Sequence, residues 1–282
     1  MAASEIEEFQ EIMSAEVLVD MEKLRDLARL GVPDTVRGAV WRYLLGVERA
    51  DRCRWTSLRS HEQSDSRNME ISKRVRGDVQ RYQRRLAAVN AGYSLATRHD
   101  LTAIVERVLA AYLNRNKQID YSPALVSLCI PFVFACERES DMYHCFAQLM
   151  RMLDDYLDEQ SIRERVANFM TLFRALIPDL HNYFVEEEVD VNEWITSWLQ
   201  YLLSKELPLP CLMRLWDMYF SLEGRLENHV YVCLALLRHY KDALEELEQS
   251  EIRTLLLRMP MLDINEVGGH RPGETADPHT HS

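Results

Sequence analysis

Glycine and proline are scarce in this chain, nine of each among 282 residues. That argues against many tight hairpins and against long disordered linkers. No stretch keeps the period-two alternation of a half-buried strand. Long apolar runs are missing too. The longest uncharged one, residues 121–136, is too short to cross a bilayer and contains Pro131, so it reads as a buried core helix. The opening MAASEIEEFQ has no basic region followed by an apolar one, so a signal peptide is not expected. None of the six cysteines forms a CxxC pair, which fits reduced, buried thiols in a cytosolic protein. Cys129, Cys136, His144 and Cys145 match no common zinc spacing, and no metal is expected. There is no GxxxxGK, GxGxxG, GxSxG or HExxH. Nothing therefore suggests bound nucleotide, dinucleotide redox chemistry, serine hydrolysis or zinc proteolysis, and no cofactor is expected.

What the chain has is acid, apolar residues and helical spacing. Its formal charge is −12 and 47% of it is hydrophobic. Such a chain is repelled by nucleic acid and by anionic membranes unless basic residues cluster locally. One cluster exists over residues 69–89, with Arg67 ahead of it and then Lys73, Arg74, Arg76, Arg81, Arg84 and Arg85. It reads either as a solvated face paired with a neighbour's carboxylates or as a site for an anion such as phosphate.

The organising stretch is residues 31–46, GVPDTVRGAVWRYLLG. Pro33 sets the incoming backbone, Asp34 is placed to cap the first N–H groups, and Gly46 is placed to close the helix in the left-handed region. Val36, Val40, Trp41, Tyr43 and Leu44 form its apolar face. Arg37 lies in the first turn, where the helix dipole disfavours a cation, so it calls for a carboxylate.

The remaining helices are expected at 21–30, 101–113, from Ser122-Pro123 onward, 141–157, from Ser161 to Ile177 before Pro178, 180–184, 191–203, from Pro210 to a closing Gly224, 228–247 and 251–259. Residues 51–68 read as a loop or broken helix and 90–97 as a turn. Residues 1–20 read as an acidic arm, either a solvated lead-in or an accessory helix. The polar stretch from Gly268 onward reads as disordered.

Residues 31–46 resemble the opening motif of the TBC domain, the catalytic module of GTPase-activating proteins for Rab-type small GTPases. Residues 192–224, NEWITSWLQYLLSKELPLPCLMRLWDMYFSLEG, are similar to that family's late signature. The parts run in the same order: an aromatic helix, a Leu-Pro-Leu elbow, Leu-Trp-Asp and a closing Gly. The resemblance spans residues 24–259. It implies an all-α, two-lobed, V-shaped domain over residues 21–262, with lobes at about 21–140 and 141–262 and a tail at 263–282. Its groove would receive the small GTPase. Arg37 and Asp217 are grouped with the groove and partner-binding set, as a candidate buried ion pair or as two independently hydrogen-bonded charges.

The family's Ile-x-x-Asp-x-x-Arg signature supplies an arginine finger, and residues 75–81, VRGDVQR, fit it with valine for isoleucine. This implies Arg81 as the finger and Asp78 as the residue that orients it or ties the helix down. A planar, permanent cation suits the charge that builds during phosphoryl transfer. Tyr82 follows where the family usually has threonine. The second signature, Tyr-x-Gln-Gly, corresponds to Tyr121-Ser122-Pro123-Ala124. Proline has no side-chain amide and no backbone N–H, so the water-positioning glutamine is missing. Gln118 lies upstream, before the helix begins.

Two readings follow. In one, the chain stimulates hydrolysis by a GTP-bound Rab-type GTPase with Arg81, supporting vesicle traffic from the cytoplasm or the endomembrane surface. In the other, it is a catalytically impaired module that binds a GTPase or scaffolds a complex. Membrane contact would be indirect, through the GTPase, and no nucleic acid is expected.

Overall fold

The computed structural model describes residues 2–15, 18–48, 66–89, 100–222, 224 and 226–268. Of the loop or broken helix expected at 51–68, residues 66–68 open a helix and the rest lie outside the described residues, as do the turn at 90–97 and the tail from 269. Within them the chain is helical, with no strand. The helices are α1 (Ala2–Met13), α2 (Met21–Arg29), α3 (Asp34–Leu44), α4 (Ser66–Val89), α5 (Leu101–Arg115), α6 (Ala124–Ala135), α7 (Glu139–Glu159), α8 (Ile162–Leu176), α9 (Pro178–Glu186), α10 (Asn192–Tyr201), α11 (Leu209–Ser221), α12 (His229–His239), α13 (Lys241–Leu244), α14 (Gln249–Leu257) and α15 (Ile264–Gly268).

The organising segment is α3. Its apolar face, Val36, Val40, Trp41, Tyr43 and Leu44, is buried as the spacing requires. Gly46 adopts φ +73° just past the helix end. Asp34 does not cap, contrary to expectation: Pro33 holds the cap position and the Asp34 carboxylate pairs with Arg37 three residues on. A carboxylate one turn from a first-turn cation answers it more directly than it answers the backbone.

Trp41 is where three helices meet. Its ring packs edge-on against Phe132 of α6 at 5.5 Å and Phe220 of α11 at 5.1 Å between centroids. Beside it lies Asp217 of α11, fully buried. Its carboxylate accepts from Arg37 Nε at 3.1 Å, Trp41 Nε1 at 2.7 Å and the Val32 backbone N–H at 3.0 Å. Arg37 also donates to the Val32 carbonyl. Arg37 and Asp217 therefore form a core pair and do not face a groove. Although burial pulls the Arg37 guanidinium down, Asp217 and Asp34 more than offset it and leave Arg37 above its ordinary value.

A second aromatic group holds the C-terminal helices, with Phe169, Phe173, Phe184, Trp194 and Trp198 in edge and tilted contacts. His229 of α12 bridges this group to α11. The Trp198 carbonyl accepts from its Nε2 at 2.7 Å, so Nδ1 accepts from the Tyr219 hydroxyl at 2.6 Å. Burial pushes the His229 imidazole down to about 4, which keeps it neutral and preserves that tautomer.

Several boundaries differ from expectation. Phe9 is buried and α1 packs on α3, so the acidic lead-in is an accessory helix rather than a solvated arm. Pro178 starts α9 rather than only ending α8, because proline suits the first helical turn. α10 ends at Tyr201, where Leu202 and Leu203 turn into the left-handed region at φ 51° and 62° with both side chains buried. α11 ends at Ser221 through an extended Leu222, not at Gly224. The expected single helix at 228–247 is split into α12 and α13 at Tyr240. Residues 263–268, expected in the tail, carry α15, whose Ile264 is buried and whose Asn265 accepts from Arg214. α7 packs on α3, α5 and α6, so close packing continues past residue 140.

At Gly38 the backbone of α6 lies directly against α3. A Cβ there would meet the Ala135 carbonyl oxygen well inside van der Waals contact, and backbone cannot swing aside. Gly77, in the middle of α4, has open space around the same position. Gly38→Ala is expected to destabilise the fold by about 1–3 kcal/mol through overpacking. Gly77→Ala should be neutral or stabilising by up to about 1 kcal/mol through helix propensity. Thermal unfolding of the two variants checks this, and an unchanged melting temperature for Gly38→Ala would contradict the close contact.

Candidate functional site

The site is built on α4. Ile71, Val75, Val79 and Tyr82 recur at helical spacing and are buried, against α5 and α6. Asp78 falls on the same inward face and is also buried. The cations of α4 have different neighbours. Arg76 forms a bidentate pair with Glu106 of α5, at 2.7 and 3.1 Å, which holds the Glu106 carboxyl below its ordinary value. Arg85 stacks on the Tyr82 ring at 4.7 Å and donates to the Lys205 carbonyl. Among the described residues Arg84 reaches only the Gln80 carbonyl of its own helix, at 3.4 Å. The paired-face reading of the basic cluster thus describes Arg76 but not the whole cluster; the Arg67 side chain lies outside the described residues.

Between α4 and the start of α6 lies a cleft of about 500 Å³ lined by Glu70, Lys73, Arg74, Gly77, Asp78, Arg81 and Pro123. The Arg81 side chain is 68% exposed, against 8% for that of Asp78. Asp78 links the two walls. One carboxylate oxygen accepts from Arg81 and the other accepts from the Tyr121 hydroxyl at 2.6 Å. Burial, and then the Asp78 hydrogen bond, push the Tyr121 phenol up, so it remains a donor. The Asp78 hydrogen bond likewise pushes the Arg81 guanidinium up. Arg81 is thus a permanent cation on a rigid helix, tethered on one side and open to solvent on the other.

The opposite wall follows from the local sequence. The Ser122 hydroxyl accepts from the Ala124 N–H at 3.2 Å, and Pro123, at φ −56°, leads into α6. A pyrrolidine ring therefore occupies the position where the resemblance calls for a side-chain amide. Gln118 is exposed and does not line the cleft. Arg81, Asp78, Tyr121 and Pro123 are brought together, whereas Arg37 and Asp217 are elsewhere, in the core. One contact is absent from the sequence reading. Arg74 lies over the Tyr121 ring at 4.8 Å, with Nη2 3.5 Å from the Tyr121 carbonyl. Its signal was the seven-residue spacing to Arg81, which returns to the same helix face.

Among the described residues no cluster of three or more His, Cys, Asp or Glu side chains is placed to hold a metal ion. No helix among them is long and apolar enough to cross a membrane.

Comparison with known proteins bears on the fold and the family. The chain is 27% identical over 300 residues to human "TBC1 domain family member 22A", matching 92% of this chain and 56% of that protein. It is 27% identical over 304 residues to "GTPase-activating protein gyp1" of Schizosaccharomyces pombe, matching 92% of this chain and 58% of that protein. The chain thus spans less than two thirds of the length of these relatives. Among solved structures, the Ypt/Rab-GAP domain of Gyp1p superposes with a TM-score of 0.74 over 95% of both chains at 20% identity, which shows the fold. The family model of the Rab-GTPase-TBC domain matches residues 34–245, and the chain belongs to that family.

Proposed function

We propose that this chain is a GTPase-activating protein that accelerates hydrolysis by a GTP-bound Rab-type small GTPase and so regulates vesicle traffic. The observation that supports it most is the setting of Arg81: an exposed guanidinium at the edge of a cleft, in the register of the family's finger motif, held from behind by Asp78.

In hydrolysis, water attacks the γ-phosphorus and the bond to the β–γ bridging oxygen breaks, releasing GDP and phosphate. Negative charge builds on the γ-oxygens and the bridging oxygen. Arg81, entering the partner's nucleotide pocket, stabilises that charge with two directed N–H groups. Asp78 restricts the side chain beforehand, so less freedom is lost on docking. Because Pro123 offers neither amide nor backbone N–H, the water is oriented by the GTPase's own glutamine. The protein works in the cytoplasm and meets endomembranes only through a lipid-anchored partner.

A single-turnover assay against a panel of GTP-loaded Rab GTPases tests this. The wild-type chain should accelerate hydrolysis by at least one member. Arg81→Ala should remove about a thousandfold or whatever acceleration is present, and Arg81→Lys most of it, since an ammonium lacks the planar fork. Equal rates for wild type and Arg81→Ala contradict the proposal, and binding without acceleration would instead identify a docking module. Replacing Pro123 with Gln together with Ala124 with Gly should raise the rate by restoring an amide at the cleft wall. An unchanged rate would show that the missing amide does not limit catalysis.

A further inference from the structure

Arg74 has no role in the family signatures quoted above, yet it shares the cleft with Arg81. The two are seven residues apart on α4. Seven residues are about 20° short of two full turns, so both side chains leave the same face, roughly 10 Å apart along the axis. They flank one tyrosine. Arg74 lies against the Tyr121 ring, and Arg81 is connected to the Tyr121 hydroxyl through Asp78. Both cations act on that phenol electrostatically, each lowering its pKa against the larger effect of burial.

The bonding of Arg74 differs from that of Arg76 and Arg81, which are held by carboxylates. Arg76 is held by a bidentate carboxylate. Among the described residues Arg74 makes no ion pair, and its only hydrogen bond, to the Tyr121 carbonyl, lies at the 3.5 Å limit. Such a bond is easily exchanged for a charged acceptor. Glu70, one turn back, lines the same cleft without pairing with it. Asp78, one turn ahead, already serves Arg81 and Tyr121. The cleft thus carries three cations, Lys73, Arg74 and Arg81, against two carboxylates, Glu70 and Asp78, in a chain whose net charge is −12. A guanidinium stacked on an aromatic face is pre-set in direction without being neutralised.

We propose that Arg74 is a second catalytic cation, which reaches the partner's nucleotide phosphates alongside Arg81 and stabilises the charge of the departing γ-phosphoryl group. The proposal rests on the GTPase-activating reading above. Arg74 transfers no proton; it adds a cation beside oxygens that gain charge as the bridging bond breaks. In this chain it shares the cleft with Pro123, so a second cation takes over part of the stabilisation where the wall carries no amide.

The test uses the full chain and the panel member that responds most strongly. Arg74→Ala should lower the saturating single-turnover rate roughly tenfold or more, with less than about a twofold change in the half-saturating concentration. Arg74→Met, which keeps an apolar stem over Tyr121, should show the same rate loss with an unchanged melting temperature. Arg74→Lys should recover part of the rate, and Arg76→Ala should stay within about twofold of wild type. Preference for the GDP–aluminium fluoride form of the GTPase over a non-hydrolysable GTP form should fall by a similar factor in Arg74→Ala. Wild-type rates in Arg74→Ala or Arg74→Met, with Arg81→Ala inactive, overturn this inference and leave the proposed function standing. A change confined to the half-saturating concentration makes Arg74 a docking contact and overturns it too. If wild type accelerates no panel member, the proposed function fails and this inference fails with it.

Discussion

The structure depends on one buried carboxylate. Asp217 lies in the core of α11 with no solvent contact, and its charge is tolerated only because Arg37, Trp41 and Val32 all donate to it. A buried pair of this kind adds little net stability compared with a well-packed apolar replacement, because both ions lose their water. What it imposes is register. Any sliding of α11 against α3 would strand a charge in the core, at a cost larger than most single contacts contribute. Two segments 180 residues apart are thereby locked into one arrangement.

From that lock the site can be followed outward. Trp41, held through its indole N–H by Asp217, packs against Phe132 and Phe220 and so seats α6 against both α3 and α11. Gly38 lets α6 approach α3 at backbone distance. With α6 fixed, its leading residues Tyr121 and Pro123 have a fixed position, and α4, packed on α5 and α6, presents Asp78 to the Tyr121 hydroxyl. The cleft cations therefore project from a face whose rear is fully packed. Asp78 has a role on both sides: it joins the walls and limits the motion of Arg81.

Much of this was legible in the sequence, and the limits have a physical pattern. The helical face of α3, the capping serine at Ser161, the proline start of α11 and the all-helical class rest on local spacing, and local spacing is what a sequence displays. The cleft residues Arg81, Asp78 and Tyr121 were reached through motif resemblance, since nothing local ties residue 78 to residue 121. What the sequence did not display was choice of partner. Asp34 is a good capping residue by type, but Arg37 one turn away took its carboxylate. The basic run on α4 looked like a single feature. Glu106, thirty residues on, separates Arg76 from Arg74, and only packing shows it. Gly224 looked like a helix stop, yet Leu222 extends the backbone first. Ile6, Phe9, Ile12 and Met13 recur at helical spacing, but in an acidic stretch that pattern fits a solvated arm and a docked helix alike, and only packing shows that α1 docks.

The central claim is that the Arg37–Asp217 lock sets the register of the domain. A double-mutant cycle with Arg37→Met and Asp217→Leu, followed by urea unfolding, tests it most directly. Each single replacement should cost about 3–5 kcal/mol, because it leaves a buried charge or buried donors without a partner. The double variant should lose less than the sum by about 2 kcal/mol or more. Costs that add to within about 0.5 kcal/mol would mean that the two residues act independently, and the account built on their pairing would be wrong.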